Sequence, residues 1–392
     1  MMQYLRDLPP QTKVFAAFFI YSFGLGGLYP RMGDIQLQMG VAEGALGLSL
    51  IGAAVGTMIS LTFAGPLIER AGHRRTLFVL VPAMSVFMAL ASFAATPAML
   101  FLALVPAGLC IGAVEQVINV EADRVEYQIG RRLMSRAHAF WSFGFFGAGL
   151  FGALAKQIGI SPQVHLLIVI PLVTGGMWLF LSGFQQAPLR AGTRVEAAPR
   201  LARPTLGILV LVAMTLSAVM LEGAGADWSA IFMRNEFAVA PFLAGFAVAI
   251  GALAQATTRY FADRFVERHS PIVVARTLLG ILGVGATLVS FAPHPYVALA
   301  GFALMGVGTS AIFPLAMSAA AQRTDRPSVS NVAALAQLSF VAFLLGPPLL
   351  GFVAEHLGIR WSFGLCLPLV AVSFAAAAGL RPALGKAAPA HG

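Results

Sequence analysis

Charge is what this chain has least of: Asp, Glu, Lys and Arg make up 10% of its 392 residues, against 58% hydrophobic ones. A typical soluble domain carries about 25% charged residues, so an aqueous globular fold is excluded and the bilayer is the solvent. Cysteine is nearly as scarce. Cys110 and Cys366 lie far apart inside apolar runs, which leaves neither a disulfide framework nor a thiolate metal site, and both read as small core residues. No P-loop and no G-x-G-x-x-G occurs, which argues against a nucleotide-driven primary pump. No His/Cys/Asp cluster and no Ser/His/Asp set stands at useful spacing. Enzyme chemistry is therefore not expected, and no catalytic residue, metal or cofactor is assigned. Met1 to Lys13 carries Arg6, Asp7, Pro9 and Pro10 and passes straight into an apolar run without a small-residue cleavage site. That start reads as an uncleaved first helix, not a signal peptide.

What the chain has instead is apolar length. Runs of about 20 residues or more can cross a hydrocarbon core, and they cover 11–33, 41–66, 76–95, 98–122, 134–156, 162–184, 205–232, 240–262, 271–292, 295–322, 329–354 and 359–380. These twelve predict an all-α polytopic membrane protein of two pseudo-symmetric six-helix bundles, residues 1–184 and 205–392. The polar stretch 185–204, with Pro188, Pro199 and Pro204, reads as a cytoplasmic linker. The formal net charge of +9 invites a nucleic-acid reading, but the placement of the charges opposes it. With a cytoplasmic N-terminus, only Arg31, Lys156, Arg234 and Arg360 of the 25 Lys/Arg fall outside, which is the positive-inside pattern. The expectation is a multi-pass, monomeric protein of the cell inner (plasma) membrane, both termini cytoplasmic, with lipid and not nucleic acid as its surroundings.

One short polar stretch organises the rest. Gly65-Pro66-Leu67-Ile68-Glu69-Arg70-Ala71-Gly72-His73-Arg74-Arg75 reads as a cationic loop between the second and third runs, with glycines permitting the turn. The stretch from Arg259 to Arg268 reads as a weaker copy in the second half, Asp263-Arg264 matching Glu69-Arg70. In the first run Gly24, Gly26 and Gly27 precede Tyr29-Pro30-Arg31, which predicts a bend near its outer end. Along the fourth, Glu115, Asn119, Asp123 and Glu126 recur at i, i+4, i+8 and i+11 on one face. Polar groups at that depth turn inward, since facing lipid costs several kcal/mol. The fifth run opens on His138-Ala139-Phe140-Trp141-Ser142. The seventh ends in Glu222-Gly223-Ala224-Gly225-Ala226-Asp227-Trp228, which sets Asp227 in the position that Arg31 holds in the first half.

Twelve spans, a midpoint linker and this hairpin resemble the major facilitator superfamily over essentially the whole chain. More finely, Arg31, Asn119, His138 with Trp141-Ser142, Glu222 to Trp228 and Gly346-Pro347-Pro348 resemble a bacterial inner-membrane branch related to the fucose:proton symporter. The resemblance implies two halves rocking about a central cavity lined by the first, fourth, seventh and tenth helices. Two departures weaken a drug-export reading: Ala103 to Gly108 lacks the fourth-helix arginine of drug:proton antiporters, and the fifth helix lacks their Gly-Pro signature.

The function expected is secondary active transport of a small polar organic solute, sugar- or polyol-like, by alternating access and coupled to protons. A multispecific exporter of amphipathic compounds and a transporter-like sensor that binds without turnover are the alternatives. Glu115, deep in its run with no base on its own face, is assigned to proton coupling together with Glu222 and His138; a hydrogen-bonded packing acid and a packed histidine are the plainer readings. Asn119, Trp141, Trp228, Gln337 and Tyr29 are assigned to substrate, although tryptophans in membrane helices also serve as packing or interfacial anchors. Arg31 and Asp227 form the expected outer gate, with Asp34 and Arg234 as competing local partners. Gly65, Glu69, Arg70, Gly72, Arg74, Asp123, Asp263 and Arg264 form the expected cytoplasmic latch. With Arg31 as the only base placed near the outer cavity, a multiply charged anion is not expected as substrate.

Overall fold

Inside a bilayer every backbone N–H and C=O must be paired within the protein. The computed structural model, which describes residues 8–131, 133–188 and 202–380, meets that demand with helices, and no strand occurs among the described residues. Twelve helices are long and apolar enough to span. They are α1 (Pro10–Met39), α2 (Glu43–Phe63), α3 (His73–Ala91), α4 (Pro97–Ile129), α5 (Met134–Gln157), α6 (Pro162–Leu181), α7 (Leu206–Phe237), α8 (Pro241–Arg268), α9 (Pro271–Ser290), α10 (Pro295–Gln322), α11 (Ser328–Leu357) and α12 (Trp361–Leu380). The chain is a multi-pass membrane protein.

Three helices outrun their apolar stretches, because a helix stops at a backbone signal and not where hydropathy falls. Positive-φ residues end them: Gly40 (φ 63) after α1, Gly130 (φ 64) after α4 and Ala238 (φ 48) after α7. α1 is broken where the glycines end, with a 3-10 turn at Tyr29–Arg31 between Pro10–Gly26 and Met32–Met39. The cationic loop holds a short helix, Gly65–Ala71, which Gly72 ends at φ 77. Its expected copy is not a loop. α8 runs unbroken through Arg259 to Arg268, because that stretch contains no glycine to stop it.

Helices in lipid associate by close packing, since lipid tails are as apolar as leucine. Small residues let the backbones meet. Gly108 of α4 lies against the Ala53 carbonyl of α2, and Thr57 donates to Gly108 O at 3.2 Å. Between the halves, a Cβ on Gly149 of α5 would lie 3.2 Å from Ala249 Cα of α8, and Gly47 of α2 fits against Pro347 of α11. Polar bonds reinforce these seams at the end of the molecule away from the hairpin. Arg234 of α7 donates to Gly33 O (2.6 Å) and Gln36 Oε1 (2.7 Å) of α1, Asn235 Nδ2 donates to Glu43 (3.1 Å), and the Gly44 N–H to Glu355 (3.1 Å). The two halves are shut against each other at that end.

Candidate transport site

Two polar sets meet where Ser142 Oγ lies 3.3 Å from the His138 carbonyl. The first belongs to α1, α4 and α5. Tyr21 Oη of α1 donates to Glu115 Oε1 at 3.2 Å, and Tyr21 is fully buried while Glu115 is half-buried. One turn on, Asn119 Nδ2 donates to the Glu115 carbonyl at 2.8 Å. That bond turns Asn119 Oδ1 towards His138 Nε2, 3.1 Å away. An acceptor there requires the proton on Nε2, so the arrangement selects the histidine's tautomer. Phe18 meets the imidazole edge-on at 5.2 Å.

The second set crosses the junction of the halves and centres on Arg259 of α8. Its Nε donates to Ser310 O of α10 at 2.7 Å, Nη1 to Ser142 Oγ of α5 at 3.0 Å, and Nη2 to Glu222 Oε1 of α7 at 3.4 Å. Ser142 Oγ donates to Gln255 Oε1 at 3.0 Å, and Gln255 Nε2 donates to Thr309 Oγ1 at 3.1 Å. Ser142, Gln255 and Thr309 are buried, whereas the Glu222 side chain keeps 28% of its surface. The guanidinium is thus fixed by a fork of donors, and the carboxylate beside it has acceptor capacity left over. A base bonded across α5, α7 and α10 overturns the expectation that placed this arginine in a loop and left Arg31 alone. Glu222 balances its charge.

Beside this pair lies an aromatic layer. Trp141 stacks on Phe145 at 5.4 Å and 17°, and Tyr29 leans on Phe145 at 5.1 Å. Ala226 and Ala230 of α7 and Val248 and Ala252 of α8 complete it.

Other expected residues stand elsewhere. Arg31 does not pair with Asp227: it donates to Asp34 at 2.7 Å and to Ile160 O at 2.8 Å, and Lys156 holds the other Asp34 oxygen at 2.6 Å. These local first-half partners are closer in sequence and already in place. Trp228 is fully buried, with its ring edge against Gly351, so it seals a seam instead of facing a solute. Gln337 accepts from the Ala202 N–H at 3.1 Å, next to the linker. Glu69, Arg70 and Arg74 are exposed, Gly65 lies in the short helix and Gly72 ends it. Asp123 is half-buried near the end of α4, and Arg264 is exposed with its guanidinium 5.8 Å from the Phe261 ring. The side chain of Asp263 lies outside the described residues. Glu121 is buried; it binds His73 and accepts from the Ala187 N–H at 3.0 Å, tying α3 and α4 to the start of the linker. Among the described residues no group of three or more His, Cys, Asp or Glu could hold a metal ion.

Twelve spanning helices in two halves, closed at one end around buried polar sets, define a membrane transporter. Residues 206–391 match the Major Facilitator Superfamily model. Over 371 residues the chain is 30% identical to the uncharacterized transporter y4wD of Sinorhizobium fredii, covering 94% of this chain and 98% of that protein. It is 26% identical over 357 residues to membrane protein MosC of Rhizobium meliloti, covering 89% and 84%. Its fold is similar to crystal structures of the nucleoside transporter NupG, one of them a mutant form, at TM-scores of 0.74 and 0.69. Identity to each is 13%, and 95% of this chain is covered in both, with 100% of the mutant chain and 98% of the other. The chain belongs to the major facilitator superfamily.

Proposed function

We propose that this protein is a proton-coupled secondary transporter that carries a small polyhydroxylated solute, a sugar or polyol, by alternating access across the inner membrane. The hairpin end then faces the cytoplasm, and residues 1–184 and 205–392 are the two rocking units. The observation that carries the reading is Arg259: one guanidinium bonded to Ser142 on the first half and to Glu222 and Ser310 on the second. A carboxylate with spare acceptors beside a donor fork can take both hydroxyls of a vicinal diol, one as donor and one as acceptor. The Trp141 and Phe145 rings supply an apolar face for the C–H side of a sugar ring. The resemblance of Arg31, Asn119, His138 and Gly346-Pro347-Pro348 to the fucose:proton symporter branch favours the same class. Glu115, whose carboxyl accepts from Tyr21, is the proton carrier, with His138 held nearby through Asn119.

A nucleoside is the second reading, favoured by the fold shared with NupG, because a ribose diol would use the same pair and a base the same rings. Counterflow in proteoliposomes loaded with glucose, sorbitol or uridine tests both. Exchange of either hexose-type probe supports the sugar reading, exchange of uridine alone replaces it with the nucleoside one, and ligand binding without exchange makes the protein a sensor.

A further inference from the structure

We infer that the transported solute carries a cationic amine beside its hydroxyls, and that Asp227 of α7 receives it. The inference rests on the polyol reading and adds the charge of the solute. It begins with the carboxylates of the central region. Glu222 faces Arg259 at 3.4 Å, and Glu115 accepts from Tyr21. Asp227 is nine-tenths buried, and among the described residues it takes no hydrogen bond and no ion pair.

Every base within a few turns is already committed. Arg31 and Lys156 hold Asp34, Arg234 holds Gly33 and Gln36, and Arg259 holds Ser142, Ser310 and Glu222. A buried carboxylate without a partner is costly, so a mobile cation is the group this position lacks.

The surroundings fit an amine and leave space for it. Gly223 lies one turn before Asp227 on the same face of α7, and nothing stands within 4 Å of where its Cβ would be. Across from this face Tyr29 lies within electrostatic reach of Asp227, and the Tyr29, Phe145 and Trp141 rings follow one another at 5.1 and 5.4 Å. Ring faces attract ammonium groups. The indole N–H of Trp141 is buried without a partner, a free donor for a hydroxyl next to the amine. An amino sugar or amino polyol would thus place its ammonium on Asp227, its ring on the aromatic layer and its diol on Glu222 and Arg259.

The test is ligand-induced thermal stabilisation of the purified full-length protein at pH 6.5, with matched probes: glucose and sorbitol, glucosamine and glucamine, N-acetylglucosamine, and choline. The amines should bind at least about tenfold tighter than their neutral parents, and acetylation should remove the gain. Asp227→Asn should abolish the amine preference and Asp227→Glu should retain part of it. Equal binding of glucose and glucosamine, or an unchanged preference in Asp227→Asn, overturns the amine assignment while leaving the polyol reading standing. Choline binding with no response to any sugar or polyol probe keeps Asp227 as a cation site and removes the polyol. Silence from all probes overturns both. Should Asp227→Asn fail to fold, the wild-type comparison of glucosamine with N-acetylglucosamine decides.

Discussion

Arg259 of α8 and Ser142 of α5 are joined by a 3.0 Å bond across the junction between the two halves, at the depth where Glu222 also meets the guanidinium. Under the alternating access proposed above, α5 and α8 belong to different rocking units, so a bond in that position would have to stretch or break as they move.

Arg259→Lys should therefore retain the charge and lose the function. A lysine offers one ammonium where the guanidinium serves three acceptors in a fixed fork. If the displaced fork costs the solute one charge-assisted bond, about 1.5–3 kcal/mol when well formed, solute affinity should fall at least about tenfold by thermal shift. Glu222→Gln should weaken binding to a similar degree. Near-wild-type affinity in Arg259→Lys would show the arginine to be a structural tie only.

Glu115→Gln separates exchange from coupling. The amide oxygen can still accept from Tyr21, so the α1–α4 contact survives, while the position can no longer release a proton. Counterflow should continue at close to the wild-type rate, and accumulation driven by an imposed pH gradient should disappear. Undiminished uphill uptake would take Glu115 out of the mechanism.

The twelve spans could be read from hydropathy because the bilayer imposes it on every span alike, and the break at Tyr29–Arg31 was announced by Gly26, Gly27 and Pro30. Glu115, Asn119 and His138 were visible too, as polar groups at depth. Arg259 was not: next to Asp263-Arg264 it reads as loop charge, although it lies within an apolar run, and an arginine inside a span is itself a functional signal. Tyr21, Gln255 and Ser142 act through partners from distant parts of the chain, and a single sequence carries no trace of such pairing. The Arg31–Asp227 gate failed for the complementary reason. Symmetry set the two positions opposite each other, but Asp34 lies three residues from Arg31 and is bonded to it.

The hairpin charges bear on a state other than the one seen. Glu69, Arg70 and Arg74 are exposed here, and we propose that with Asp123 they latch the hairpin end when the opposite end opens. Arg70→Ala should then leave this conformation untouched and destabilise only the other. Solvated pairs contribute about 0–1 kcal/mol each, so the population of the present state should rise by up to about fivefold. Cysteines placed along the hairpin-end half of α4 and α10 should label faster in Arg70→Ala; unchanged labelling would discard the latch.

We propose that Arg234, in place of the pair expected from symmetry, holds the opposite end shut. Its guanidinium reaches from α7 to Gly33 O and Gln36 Oε1 of α1, bonds of 2.6 and 2.7 Å between the halves. Both acceptors lie beyond the break at Tyr29–Arg31, on the segment that would swing as α1 bends. Arg234→Ala deletes both bonds from the closed state and none from the open one, so the whole loss appears as a shift of the equilibrium. Taking about 1–2 kcal/mol for a half-exposed charge-assisted pair of bonds, the open fraction should rise roughly five- to thirtyfold. Arg234→Lys should recover about half of that, with one of two bonds remade. Gly149→Leu makes an independent check, because it wedges the α5–α8 seam at Ala249 without touching any charge. Spin labels on the outer ends of α1 and α7 should report longer distances in Arg234→Ala and in Gly149→Leu alike. A shift in Gly149→Leu alone would leave packing as the closure and reduce Arg234 to a surface contact; no shift in either would mean that the seam seen here is not what holds the opposite end shut.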